Sequence, residues 1–411
     1  MIARGEAGHR GPDVRSDLHV EVELGGDVGV DLEVTSKVEA LYGEAIRADA
    51  RRVLGALEVD HARVRVRDEG ALPWVVMARV EAAAVRAGVE PAPGTLPARA
   101  RSARGPSPRD RLRRSRLYLP GDSPRFMVNA GLHGPDAVIL DLEDSVHPDH
   151  KHAARLLVRN AIRAVDFGAA EVMVRINQGV PGLEDLDAVI PEAPDVILVP
   201  KVEHAETVLD VAARIHAIRD EEGLDPSRPV WLMPILESAL GIEHAFDIAR
   251  AHESVVALTI GLEDYTADLG VAKTRDGQES AWARKRLVNA ARAAGVQAID
   301  SVYGDLDDEE GLRAWGIRAR SMGFTGMGCV HPRQIRPIHE SFAPGEDALA
   351  RALSIVEAFR DASERGLGVV SLGSKMIDPP VVERARRLVA DAKRMGLVPN
   401  GAAGTPVGDG P

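Results

Sequence analysis

Between residues 115 and 332 the sequence repeats one pattern: a short, nearly unbroken apolar run, then a stretch with helical spacing. The runs are SRLYLP (115–120), AVILDLE (137–143), EVMVRIN (171–177), VILVPK (196–201), VWLMPILE (230–237), VVALTIGLED (255–264), VQAIDS (296–301) and GMGCVHP (326–332). Strands that are apolar on both faces need cover on both faces, and parallel sheets obtain it from their crossover helices. Eight such units fit a closed (β/α)₈ barrel better than an open doubly wound sheet.

Polar residues cluster where these runs end, and such barrels build their sites at the C-terminal ends of their strands. In order they are Asp141 and Glu143, Arg175 and Asn177, Lys201 and Glu203, Glu237, Asp264, Asp300, and His331. Glu237 and Asp264 end neighbouring runs, so their carboxylates are expected to face each other, and two such anions call for a cation. With oxygen ligands and no His or Cys in the same runs, Mg²⁺ is favoured over Zn²⁺. Arg175 offers a planar fork either to a substrate carboxylate or to Asp141 or Glu143 in a buried ion pair. His331, followed by proline, reads as a packing and capping residue.

Upstream, residues 90–113 (EPAPGTLPARARSARGPSPRDRLR) combine helix-breaking prolines with dense arginine and read as a solvated linker. Before it, DLHVEVEL (17–24), GVDLEV (29–34) and ARVRVR (62–67) alternate like half-buried strands. Residues 36–57 carry helical spacing and 73–87 a further apolar stretch, which makes residues 1–89 a small α+β domain. The larger remainder spans 114–398, with helices expected over 345–365 and 381–397, and a disordered Gly/Pro-rich tail over 399–411.

A formal net charge of −12 argues against nucleic-acid or membrane-surface binding and leaves small molecules or proteins as partners. The single cysteine, Cys329, reads as a small core residue and fits a reducing, cytoplasmic setting. Neither a secretory leader nor a membrane-spanning run is evident.

At these residues the chain resembles the HpcH/HpaI aldolase and citrate lyase β-chain superfamily. The matching motifs are RSRLYLPGDSPRFM (114–127), AVILDLEDSV (137–146), VRIN (174–177), VPKVE (199–203), PILESALGI (234–242), IGLEDYTADLG (260–270), QAIDSVYGDLDDEEGL (297–312) and GLGVVSLGSKMIDPPVVERAR (366–386). The last two look most like the citrate lyase β chain. The resemblance implies a trimeric or hexameric TIM barrel with Glu237 and Asp264 as Mg²⁺ ligands. It also implies Arg175 against the substrate and Asp378 as a catalytic carboxylate delivered to a neighbouring subunit; Asp141, Glu143 and Lys201 are read as groups that support the site from behind. The implied reaction is retro-Claisen cleavage of a citryl thioester to oxaloacetate and an acetyl thioester. Relatives act instead on malyl-CoA or citramalyl-CoA, or hydrolyse the thioester, and others are obligate subunits working with an acyltransferase α chain.

Residues 7–88 are similar to the citrate lyase acyl carrier protein, the γ chain, in which a serine carries a dephospho-CoA-derived prosthetic group. Here Arg15 aligns at that place and Ser16 follows it. Either the register slips by one, or the domain is unmodified and the barrel acts on free acyl-CoA. A carrier joined to a barrel by a linker would raise its thioester's effective concentration at the mouth; the other reading is an assembly domain.

Overall fold

The computed structural model describes residues 3–26, 29–92, 94–100, 105–364, 370–372 and 375–398. The chain divides into two compact units, one ending at Ile338 and one starting at His339, so the lyase domain expected over 114–398 is shared between them. The tail expected to be disordered lies outside the described residues.

The first unit opens with strands β1 (Arg4–Gly8), β2 (Leu18–Leu24), β3 (Val30–Ser36) and β4 (Ala62–Asp68), in the spatial order β1-β2-β4-β3. Period-2 patterning does what it predicts in β4: Ala62, Val64 and Val66 are buried while Arg63, Arg65 and Arg67 face outward. The helix Glu39–Ala56 follows Ser36, whose Oγ accepts from the Val38 amide at 3.0 Å and donates to Asp68 at 2.6 Å. β1 was missed because RGEAG has almost no apolar residue to mark a period. Its glycine is structural: a Cβ on Gly5 would sit 2.2 Å from the Ala83 carbonyl oxygen of the helix Pro73–Arg86.

Strands β5 (Ser115–Pro120), β6 (Ala137–Asp141), β7 (Glu171–Arg175), β8 (Val196–Val199), β9 (Trp231–Leu236), β10 (Ala257–Ile260), β11 (Gln297–Asp300) and β12 (Gly326–Cys329) close into a parallel barrel, with β12 pairing back onto β5. Several strands are shorter than their apolar runs, so Glu143, Lys201, Glu237 and Asp264 sit just past strand ends. Ile139, Met173, Leu198, Met233, Ile235 and Ile299 fill the interior. Cys329 is buried, and burial pushes its thiol up to about 12, which leaves it an inert core residue.

Residues 105–113 do not form a solvated linker. They cross the base of the barrel, where the strands begin. Arg113, with a 0% exposed side chain, donates from Nε and Nη2 to Glu171, the first residue of β7, at 2.8 Å each. Its Nη1 reaches Oε1 of Gln297, the first residue of β11, at 3.1 Å, and Gln297 Nε2 donates to the Arg111 carbonyl at 2.8 Å. Trp231, which opens β9, donates to the Ser107 carbonyl at 2.8 Å, and Arg109 donates to the Val255 carbonyl just before β10 at 3.0 Å. Arg109, Arg111 and Arg113, part of what suggested a solvated linker, are taken up by carbonyls and by Glu171.

The N-terminal domain is likewise seated on the barrel rather than held at a distance. Helix Pro73–Arg86, buried from Trp74 to Ala84, packs on helix Lys151–Ala164. Asn160 Nδ2 donates to the Trp74 carbonyl at 3.1 Å, and Arg159 pairs with Glu81 at 3.0 Å. Buried Arg79 holds Asp17 with two bonds of 3.0 and 2.9 Å and donates to the Asp122 carbonyl, past β5, at 2.6 Å.

In the second unit the helices Glu346–Glu364 and Pro379–Arg394 pack through Ile355, Val382 and Val389 beside an antiparallel hairpin, β13 (Val370–Leu372) and β14 (Lys375–Ile377). Among the described residues no helix is long and apolar enough to cross a membrane.

Candidate active site

The C-terminal ends of β6 to β9 bring one charged network together. Asp141 ends β6 and is buried; its carboxylate accepts the Glu143 amide at 3.0 Å, which fixes the turn out of the strand. Arg175 ends the neighbouring β7 and forks onto Asp141 with bonds of 2.6 and 2.7 Å. Its remaining nitrogen, Nη1, lies 2.8 Å from Glu143 and 3.3 Å from Asp144, and the guanidinium sits 5.3 Å from the Tyr118 ring centre. Burial opposes that charge, but Asp141 and then Glu143 outweigh it and raise the group's pKa. Of the two roles open to Arg175, the ion pair is therefore made.

Lys201 follows β8 with φ +50°, a left-handed conformation rare outside glycine. The turn sends its Nζ to Glu143 at 2.9 Å while its amide donates to Glu237 Oε1 at 2.8 Å. Burial would lower the ammonium's pKa; the hydrogen bond and charge of Glu143 win and raise it.

Glu237, just past β9, is 5% exposed. Its Oε2 lies over Gly261, where an added Cβ would come within 2.4 Å of it. Burial, followed by the negative charges of Asp264 and Glu143, pushes the Glu237 carboxyl up to about 8, against the pull of the Lys201 amide. Asp264 sits half-buried in the first turn of the helix Leu262–Asp268 and makes no side-chain hydrogen bond among the described residues. The pair is an excess of negative charge with hard oxygen donors, next to a guanidinium already committed to three carboxylates. That donor set fits a hard divalent cation holding further ligands of its own.

Other strand-end residues do not join this network. Asp300 is fully buried and faces the helical layer, bound by Arg284 and by Trp315 Nε1 at 2.9 Å. Asn177 bonds Asp185 at 2.7 Å, Glu203 accepts from Ser238 at 2.7 Å, and His331 caps the Arg333 amide at 3.1 Å, as its following proline suggested. Asp378 belongs to the second unit, exposed at the N-terminus of helix Pro379–Arg394. Asp144, Gln178 and Tyr118 join the network without having been singled out from sequence; Asp144 stood in plain view beside Glu143.

Comparison with known proteins bears directly on this geometry. Residues 114–332 match the model of the HpcH/HpaI aldolase/citrate lyase family. The chain belongs to that family. It is a carbon-carbon lyase. Residues 8–87 match an acyl-carrier model described as malonate decarboxylase delta subunit, in keeping with the carrier-like domain expected there. The citrate lyase subunit beta of Leuconostoc mesenteroides subsp. cremoris is 37% identical over 295 residues, covering 70% of this chain and 96% of its own. An L-malyl-CoA/beta-methylmalyl-CoA lyase of Cereibacter sphaeroides is 33% identical over 314 residues, covering 70% of this chain and 97% of its own. The structure of CitE from Mycobacterium tuberculosis in complex with magnesium, acetoacetate and coenzyme A superposes with a TM-score of 0.58 at 29% identity, covering 70% of this chain and 99% of that one.

Proposed function

We propose that this lyase cleaves a citryl thioester, carried on CoA, to oxaloacetate and an acetyl thioester, with Mg²⁺ held by Glu237 and Asp264. The observation that carries the reading is the buried Glu237 carboxyl, raised by burial and by Asp264 and Glu143 and set over a glycine. Relatives named for citrate lyase and for malyl-CoA lyase, and a neighbour bound to magnesium, acetoacetate and coenzyme A, support it. When bound, the cation supplies Lewis acidity toward the oxygen that becomes the keto group.

The chain's own groups do the rest. The hydroxyl gives its proton to solvent, the carbon-carbon bond breaks with its electron pair passing to the carbon beside the thioester, and that carbon takes up a proton to become a methyl group. Asp141 and Glu143 lock Arg175 in place, so its charge and that of Lys201 face the mouth at fixed positions where the oxo-acid's carboxylates bind. Asp378, exposed and ahead of a helix, is the proton donor to carbon, supplied by a neighbouring subunit of a trimer or hexamer.

The test is release of keto acid from citryl-CoA, malyl-CoA and citramalyl-CoA in parallel, with Mg²⁺ or with EDTA. Metal-dependent oxaloacetate from citryl-CoA, lost in Asp378→Asn, is the expected result. Preference for another thioester would move the chain to the malyl-CoA or citramalyl-CoA reading. Free CoA without keto acid would make it a thioesterase, and no turnover at all would favour an obligate subunit awaiting an acyltransferase α chain. Intact mass decides whether Ser16 carries a prosthetic group; Ser16 is held at φ +56°, next to Asp17, which Arg79 holds.

Gly261→Ala checks the cation pocket independently. The new Cβ forces Glu237 Oε2 aside, so Mg²⁺ affinity should fall about 10–100-fold, as for lost supporting contacts around metals. Unchanged affinity in a Mg²⁺ titration would remove Glu237 from the ligand set.

A further inference from the structure

A second, chemically different cluster lies where the N-terminal domain meets the barrel. His9 comes from the loop after β1; Asp122 follows β5 and His150 precedes helix Lys151–Ala164. His9 Nε2 lies 3.6 Å from Asp122 Oδ2, and His150 Nδ1 lies 3.7 Å from the same oxygen. All three ligand atoms fall within 4.8 Å of one another. Two ligands about 2.1 Å from one ion at a tetrahedral angle stand about 3.4 Å apart, so these separations need only a small contraction to close on a metal.

The surroundings are arranged as they are around a bound imidazole. Asp17 Oδ2 accepts from His9 Nδ1 at 2.8 Å, and Nε2 faces Asp122 Oδ2, so a metal at Nε2 takes the place of the proton that the ring holds toward Asp122. Asp17 is itself held by Arg79, so its charge is balanced, while Asp122 uses Oδ1 for the Ser123 hydroxyl at 3.0 Å and turns Oδ2 toward both imidazoles. The two imidazole side chains are 32% and 40% exposed, which gives an ion a path in and leaves room for a water in the fourth position. We infer that His9, Asp122 and His150 form a zinc-type site that pins the 9–17 loop of the N-terminal domain to the rim of the barrel. Two imidazoles and one carboxylate suit Zn²⁺ and not Mg²⁺, so this site and the Glu237–Asp264 pair select different ions.

The experiment uses the tag-free full chain, stripped with EDTA, then dialysed against Zn²⁺ in excess Mg²⁺ so that hard-oxygen sites are filled. Metal content is read by mass spectrometry and unfolding by thermal melts. One zinc per chain is expected, with a melting temperature raised by zinc. His150→Ala and Asp122→Asn, both checked for a native circular dichroism spectrum, should each lose the zinc and the shift, while Glu237→Gln keeps both. No zinc in the parent chain, or zinc retained in either His150→Ala or Asp122→Asn, overturns the inference.

Discussion

Glu237→Gln should lower kcat about 10²–10³-fold, in the range for removing one strongly stabilising electrostatic group, while the fold stays intact. Glutamine keeps the shape and the oxygen that accepts from the Lys201 amide, so only the anion is lost. The same substitution should make the metal-free protein more stable at alkaline pH. A carboxyl whose folded-state pKa is raised from 4.5 to about 8 contributes its full stability below the lower value and loses it as pH rises through the upper one. In EDTA, the gap in melting temperature between variant and parent should therefore be small at pH 4.5 and widen toward pH 8. A gap that does not change with pH would mean Glu237 ionises freely, without the crowding that calls for a cation.

Arg113→Met should cost about 3–5 kcal/mol, because it leaves Glu171 buried, charged and unpaired beneath the barrel. Urea unfolding of the full chain measures the loss. Adding Glu171→Gln to the same chain should recover most of it, since the penalty comes from the stranded carboxylate. If Arg113→Met alone is neutral, residues 105–113 do not brace the base.

The barrel was legible because each strand is a pure apolar run punctuated by a charge, and the network of Asp141, Glu143, Arg175, Lys201 and Glu237 stands at those punctuation marks. The same mark misleads at Asp300. A charge ending a strand points either into the mouth or toward the helices, and only its partner decides; Arg284 lies 16 residues upstream on a helix, with nothing in either segment to announce the pairing. Residues 105–113 failed for the same reason on a longer scale. Arginine beside proline reads as solvated until Glu171, 58 residues away, takes up the guanidinium. Likewise the apolar excess of the helix Pro73–Arg86 signals burial without saying that its cover is the barrel.

The family match begins at residue 114, one position after Arg113. Anyone dissecting this protein would be drawn to cut there, and the fragment would carry every strand of the barrel and every residue of its mouth. It would also begin life with Glu171 uncovered, Trp231 and Gln297 without their carbonyl partners, and the packed face of helix Lys151–Ala164 open to water. The chain can be aligned from residue 114, but a cut there would strip the base of the barrel of its partners.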